Sequence, residues 1–272
     1  MTAPARPSLN PGQFPRVAAF LDKYATGPGA VPTGNLVDLV GSVQRAAVTD
    51  MPFVTATIDN FLPADLYRAV LTDWHAVDLK PVNLPGAEYV GSRKGAQLLS
   101  WTAEGSAEAL TAAWSRVADA ARSAAFVRAL FTRFASTVEA NLAHPEVADA
   151  AVPGFVLWAN HDHGPDEALG AHLDGLHKLL TIVLYLDLEG PTTPESGRLW
   201  GTTLYDIEPD TIKPVEFSPN AHHKPAGYVD FRPNRAFVMP NINKALHGVA
   251  GGQEGVTRRS LMWGYWYFGS NR

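Results

Sequence analysis

The sequence predicts a mainly β fold in which a helical first half packs on a second half built as a β-barrel or sandwich. Apolar residues make up 46% of the chain and aromatic residues 10%, enough for a full core, whereas the 18% of charged residues is low for a disordered or coiled-coil protein. No polar linker separates the halves. We therefore expect one domain over 1–272, with a helical support region at about 1–150 and a β core at about 151–272.

Helical periodicity dominates the first half. Apolar residues recur there at i, i+3, i+4 and i+7, and an acidic residue follows the proline that opens one of the predicted helices. One segment, 51–63, alternates as a strand before a proline turn. Helices are predicted at 14–24, 35–47, 64–74 and 106–142, the last divided into two near Ala120.

Short β-rich runs follow Pro153, separated by Gly, Pro and Asn at the spacing of an all-β barrel or sandwich. The connection 207–225 contains Pro209, Pro214 and Pro219 and cannot be a regular strand throughout. His222 and His223 within it are expected either in a solvated loop or in a lid over a substrate. Strands are predicted at 155–159, 179–186, 198–205, 227–231, 235–240 and 258–268.

Composition excludes several classes of protein. The net charge of −5 offers no electrostatic surface for nucleic acid. The absence of cysteine excludes disulfides, cysteine nucleophiles, iron–sulfur clusters and Cys-ligated zinc. No apolar leader begins the chain, and the longest apolar stretch, 179–186, is far shorter than the roughly 20 residues that span a bilayer. We expect a cytoplasmic protein with neither a membrane nor a nucleic-acid partner.

The histidines carry the strongest chemical signal. Four of the nine lie between 161 and 177, and among them His172 and Asp174 form a His-x-Asp pair just before a convincing buried strand. Alternate residues of an extended strand point to the same side, so both side chains can ligate one ion. With a distant histidine, His247, they make the 2-His-1-carboxylate pattern typical of non-haem Fe(II).

Shortly after His247 comes an Arg-Arg-Ser run that leads the final strand. Arg258 and Ser260 are two residues apart and face the same way, so together they can hold a carboxylate, the arginine bidentately. Strand alternation turns Arg259 to the other side. The pattern therefore predicts Arg258 as the inward guanidinium.

These motifs resemble the Fe(II)/2-oxoglutarate-dependent dioxygenases, in particular the prolyl-hydroxylase-like and phytanoyl-hydroxylase-like branches. The resemblance implies a double-stranded β-helix, or jelly roll, with helices packed on one sheet. It also implies Fe(II) on His172, Asp174 and His247, and 2-oxoglutarate on Arg258 and Ser260. The matching segments are AHLDG (171–175), KLLTIVLYLD (178–187), SGRLWG (196–201), FVMPNINKALHGV (237–249) and TRRSLMWGYW (257–266).

Further expectations follow from the same resemblance. Tyr185 is expected to contact the cosubstrate, as are Lys178 or Thr181. With O₂ as second cosubstrate, the implied activity is hydroxylation of an unactivated carbon in a small molecule, such as an amino acid or a biosynthetic intermediate. Desaturation, ring closure or epimerisation would use the same ligands. The candidate substrate contacts are Trp158, Asn160 and Trp263.

A different set of ligands remains possible. His161, His163 and Glu167 spell HxHxxxE, the first half of a cupin metal site, and cupins are also jelly rolls. This interpretation predicts a cupin-type metalloenzyme or a non-enzymatic jelly-roll binding protein. Against it, the second cupin half requires a PxG before its histidine, whereas Pro240 is followed by Asn241 and Ile242.

Overall fold

In the computed structural model the chain forms two antiparallel sheets, with helices packed on the outer face of the larger one. The two sheets fit the predicted jelly roll, and helices of the first half pack on the larger sheet, whereas α8 (Ser196–Leu199) lies beside a strand of the smaller one. The structure describes residues 9–27, 39–82, 92–101, 106–107, 110–148, 150–164, 168–208 and 212–269.

The helices concentrate in the first half. The 106–142 segment, predicted as two helices, forms three in its described part from residue 110. Ser123 ends the first of them, and its Oγ accepts the backbone N–H of Phe126 to cap the second. Phe134, whose φ of −113° and ψ of 22° are not helical, separates the second from the third. None of the described helices combines the length and apolar character needed to cross a membrane. They are α1 (Pro15–Thr26), α2 (Val40–Gln44), α3 (Ala64–Thr72), α4 (Ala112–Arg122), α5 (Ala124–Arg133), α6 (Ala135–Leu142), α7 (Pro145–Ala148) and α8 (Ser196–Leu199), with 3-10 turns at Asp73–Ala76 and Asn220–His222.

The strands are numbered in chain order. In the described residues the larger sheet runs, edge to edge, through β1 (Ala47–Thr49), β2 (Thr55–Ile58), β12 (Arg235–Pro240), β8 (Lys178–Glu189), β14 (Thr257–Gly269), β6 (Ala150–His163), β4 (Ser92–Trp101) and β3 (Lys80–Pro81), with β5 (Ser106–Ala107) beside β4. The smaller sheet runs through β10 (Phe217–Ser218), β7 (Leu169–His172), β13 (His247–Val249), β9 (Thr202–Tyr205) and β11 (Pro225–Val229).

The first half is only partly helical, because it also supplies five strands among its described residues. Strand β4 was not predicted. Its segment 92–100 contains none of the β-branched or aromatic residues that favour strands, and pairing along β6 makes it one. The predicted strand 198–205 begins instead as α8 and becomes extended only at Thr202.

One hydrophobic core joins the helices to the outer face of the larger sheet. On β8, Leu180, Ile182 and Leu184 point into this core, and on β14 Trp263 and Tyr265 do the same. The opposite faces of these strands look toward the smaller sheet. A second apolar cluster, which includes Tyr185 and Phe231, fills one end of the space between the sheets, while a cavity occupies the other.

Candidate metal and cosubstrate site

The cavity between the sheets measures about 500 Å³. Strands β4, β6, β8 and β14 of the larger sheet and β7, β9, β10 and β13 of the smaller one contribute to its wall. Because the inward positions of so many strands converge here, side chains far apart in the sequence share this space.

Three potential metal ligands meet at this cavity. His172 ends β7 and His247 begins β13, and the two residues are paired across these neighbouring strands with ring centroids 4.3 Å apart. Asp174 follows two residues after His172. One ligand atom from each of the three side chains lies within 4.8 Å of the others, and within the described residues no other such group of His, Cys, Asp or Glu occurs.

Backbone contacts orient both imidazoles. The Nδ1 atom of His172 lies 3.0 Å from the carbonyl oxygen of Gly170, and that of His247 lies 3.0 Å from the carbonyl oxygen of Ala245. A carbonyl oxygen can only accept, so each Nδ1 carries the proton. The lone pair of each ring is then on Nε2, the arrangement that partners of metal-binding histidines usually enforce.

The charge states also suit a divalent cation. Burial, together with the neighbouring His247, lowers the pKa of His172 to about 3, and burial lowers the pKa of His247. Burial alone would raise the pKa of Asp174, but the Lys178 ammonium and the two histidines outweigh it and hold that pKa below its ordinary value. Two neutral imidazoles and one carboxylate are a donor set that fits Fe(II).

Two side chains on β8 hold the Asp174 carboxylate in place. Thr181 Oγ1 donates to Oδ2 at 2.6 Å, and Lys178 Nζ donates to Oδ1 at 3.1 Å. The family resemblance implies that Lys178 or Thr181 contacts the cosubstrate. The structure places them in the cavity wall, in contact with the carboxylate of the candidate metal site.

The structure places Arg258, Ser260 and Met262 in the cavity wall, as strand alternation requires. Arg259 lies on the outer face, where its guanidinium pairs with Glu189 at 2.6 Å and with Asp187 at 3.9 Å. The predicted orientation of the two arginines on β14 is therefore the observed one.

A buried carboxylate that sequence reasoning missed holds Arg258. Nη1 of Arg258 donates to Asp162 at 2.6 Å, and Arg93 of β4 binds both oxygens of the same carboxylate. Burial opposes ionisation of Asp162, but Arg93 and Arg258 outweigh it and keep its pKa below the ordinary value. Two cations share one anion, so this end of the cavity carries one net positive charge. Arg258 is paired with Asp162 between β14 and β6, and Arg93 is paired with it between β4 and β6, so long-range strand pairing is the signal that reveals this cluster.

The remaining predicted residues divide between the cavity and the core. Trp158 and Asn160 line the cavity. Trp263 does not: it is fully buried in the core against the helices, because its position on β14 has the opposite parity to Arg258. The candidate substrate contact at Trp263 was therefore wrong.

Tyr185 lies behind the cavity wall. Its hydroxyl shares a 2.7 Å hydrogen bond with Thr202 Oγ1, its ring stacks on Phe231 with centroids 4.9 Å apart, and burial raises its pKa. The Arg258 guanidinium lies 5.4 Å from the ring centroid. Tyr185 thus contacts Thr202 and Arg258, both of which line the cavity, and is not itself among the described lining residues.

The two histidines of the alternative cupin set, His161 and His163, are not among the described residues that line this cavity. His161 lies 6.3 Å from Trp74 and 6.0 Å from His163, measured between ring centroids, on the outer face of β6 that bears Ala159. Glu167 lies outside the described residues. Of the two histidines between β10 and β11, His222 is exposed and His223 Nε2 lies 2.7 Å from Ser218 Oγ.

No family model and no curated protein sequence matches the chain. An oxidoreductase of the 2OG-Fe(II) oxygenase family from Burkholderia pseudomallei has a similar structure, with a TM-score of 0.50 and 14% identity, over 89% of this chain and 96% of that one. A prolyl hydroxylase from Trichoplax adhaerens gives 0.48 and 11%, over 96% and 94%. A prolyl-4-hydroxylase from Pseudomonas putida gives 0.45 and 15%, over 85% and 98%. The chain has the fold of the 2OG-Fe(II) oxygenases.

Proposed function

We propose that this protein is an Fe(II)- and 2-oxoglutarate-dependent oxygenase. The observation that carries the proposal is the convergence of His172, Asp174 and His247 on a cavity that Arg258 also lines. A facial triad leaves coordination positions open, and a guanidinium can hold the far carboxylate of a 2-oxo diacid. The residues of this one cavity include both a candidate facial triad and a guanidinium.

The chain's own side chains would bind and orient the reactants. His172 and His247 would ligate through Nε2, while Asp174, kept ionised beside Lys178 and Thr181, would complete the site. When bound, Fe(II) supplies the activation of O₂ that couples decarboxylation of 2-oxoglutarate to oxidation of a substrate C–H bond. The residues of the cavity wall would shield these reactants from water on the sides formed by the two sheets.

Arg258 and Ser260 would hold the distal carboxylate of 2-oxoglutarate. Asp162 would act as a positioning residue, since it fixes the Arg258 guanidinium against the wall. Tyr185 would also be a positioning residue and would not itself bind 2-oxoglutarate, because its hydroxyl contacts Thr202 and its ring lies beneath Arg258.

The proposed substrate is a small molecule, such as an amino acid or a biosynthetic intermediate. A cavity of about 500 Å³ has room for the cosubstrate and a compact second molecule, whose contacts would include Trp158 and Asn160. Hydroxylation is the proposed outcome. Desaturation, ring closure and epimerisation would require the same protein ligands.

The test needs no primary substrate. Fe(II) is added to the protein without oxygen, then 2-oxoglutarate, and the weak visible charge-transfer band of a chelated 2-oxo acid is recorded. We expect the band in the wild type and in Asp187→Ala, a control on the outer face, but not in Asp174→Ala. Iron binding without a band would overturn the role of 2-oxoglutarate. No iron binding would overturn the proposed function.

A further inference from the structure

A third cation, Lys178, lines the cavity besides Arg93 and Arg258. Its side chain is 4% exposed, and its Nζ lies 3.1 Å from Asp174 Oδ1 and 5.7 Å from the ring centroid of Trp266. Lysine is seldom buried without a partner, because desolvating an ammonium is costly. Here the described carboxylate partner is the proposed metal ligand itself.

The fold makes room for this lysine. The register between β8 and β14 shifts at Leu179, so that Lys178 pairs with Trp266 and faces the cavity with it. Gly264 stands beside the lysine stem: a Cβ added there would lie 2.8 Å from Lys178 Cε. A side chain at that position of β14 would displace Lys178.

Around Lys178 and Trp266, hydrogen-bond donors outnumber acceptors. The indole Nε1 of Trp266 is buried and has no hydrogen-bond partner among the described residues. A Cβ added at Gly264 would lie 3.1 Å from this Nε1 atom and 2.8 Å from Lys178 Cε. The indole N–H and the lysine stem are therefore neighbours. A buried donor left unpaired costs free energy that an incoming acceptor would recover.

In the loaded cavity, the positive charge of Lys178 would have no matching negative charge. At one end, Arg93 and Arg258 against Asp162 leave one positive charge, which the distal carboxylate of 2-oxoglutarate would neutralise. At the metal end of the cavity, a divalent ion bound to the Asp174 carboxylate also leaves one positive charge, which the carboxylate next to the 2-oxo group of 2-oxoglutarate would neutralise. The Lys178 ammonium then remains as one buried positive charge without a matching anion.

We infer that Lys178, assisted by the indole N–H of Trp266, recognises a carboxylate on the primary substrate, and that the rest of this substrate is uncharged. The inference rests on the proposed function and narrows its substrate class. A zwitterionic amino acid adds no net negative charge, whereas a monocarboxylate whose amino group is absent or acylated supplies the missing one. Trp158 and Met262 offer an apolar wall for its body.

The test uses protein loaded with Fe(II) and 2-oxoglutarate without oxygen. Pairs of carboxylic acids and their primary amides, such as 3-phenylpropanoate with 3-phenylpropanamide and hexanoate with hexanamide, are titrated by calorimetry and by the shift of the charge-transfer band. We expect acids to bind about tenfold or more tightly than their amides. Lys178→Met should abolish this preference when it is measured at iron and 2-oxoglutarate concentrations that saturate the variant's own band, and Lys178→Gln serves if that variant does not fold. Lys80→Met, an exposed lysine, should change neither the preference nor the band.

Each outcome has a distinct meaning. No band in the wild type overturns the proposed function and the inference with it. A band with acids binding no better than amides, or not binding, overturns the substrate class alone. An unchanged preference for acids in Lys178→Met would also overturn the substrate class. So would a variant in which 2-oxoglutarate binding is weakened and acid binding is not, because the lysine would then bind the cosubstrate.

Discussion

Replacing Asp162 by Asn tests whether the arginine end of the cavity depends on one buried charge. The substitution keeps the size of the side chain and removes its negative charge. Asp162 is fully buried, and the side chains of Arg93 and Arg258 are 8% and 3% exposed. After the change, two buried guanidinium groups would lie side by side without a counter-ion.

The expected loss follows from that burial. Removing one partner of a buried ion pair costs about 3–5 kcal/mol, because the remaining charge is desolvated and unpaired. A typical domain is stable by only about 5–15 kcal/mol, so this loss is large. Asp187 provides the matched control: it is 35% exposed and lies 3.9 Å from Arg259. Asp187→Asn should cost at most about 1 kcal/mol.

Urea unfolding at pH 7, followed by near-UV circular dichroism, measures both variants against the wild type. We expect Asp162→Asn to lower the denaturation midpoint several times more than Asp187→Asn, with similar slopes. Equal losses in the two variants would refute the reasoning, since the Asp162 cluster would then be no more than a solvated ion pair.

Three further predictions concern the proposed site. Arg258→Ala should raise the 2-oxoglutarate concentration needed for the charge-transfer band by about tenfold or more, and Arg259→Ala should leave it nearly unchanged, because only the first guanidinium lines the cavity. Gly248→Ala should destabilise the protein by about 1–3 kcal/mol in thermal unfolding, because the added Cβ would lie 2.3 Å from Asn220 Oδ1. Between pH 6.5 and 5 the metal-free protein should lose stability: the unfolded chain takes up a proton at His172 near 6.5, whereas burial lowers the folded pKa to about 3. His172→Gln should remove up to about 1.4 kcal/mol per pH unit from the slope measured by urea unfolding.

Different results would contradict each of these. A larger effect of Arg259→Ala than of Arg258→Ala would mean that the guanidinium on the cavity side is not the one that binds. Wild-type stability in Gly248→Ala would show that β13 can shift away from Asn220 at no cost. An unchanged pH slope in His172→Gln would mean that the imidazole takes up its proton equally well in the folded chain.

Local pattern alone determined much of this protein. The strand at 235–240 matches its predicted bounds, and the His-x-Asp pair with the later His247 is the set of side chains that the structure gathers. Short-range alternation also separated Arg258 from Arg259. These features depend on the two-residue period of a strand, which can be read from neighbouring residues.

Tertiary structure decided what lies on each side of the sheet. The two-residue period sorts β6 into two sets, with His161 and His163 in one and Asn160 and Asp162 in the other, but it does not say which set faces the cavity. The helices cover the face bearing the histidines, and β4, whose residues 92–100 include none that is β-branched or aromatic, carries Arg93 to Asp162. Trp263 is a different case: alternation from the inward Arg258 already places it on the core side of β14. Assignments like that on β6, in contrast, come from long-range pairing and from register shifts such as that at Leu179, which depend on residues far away in the sequence.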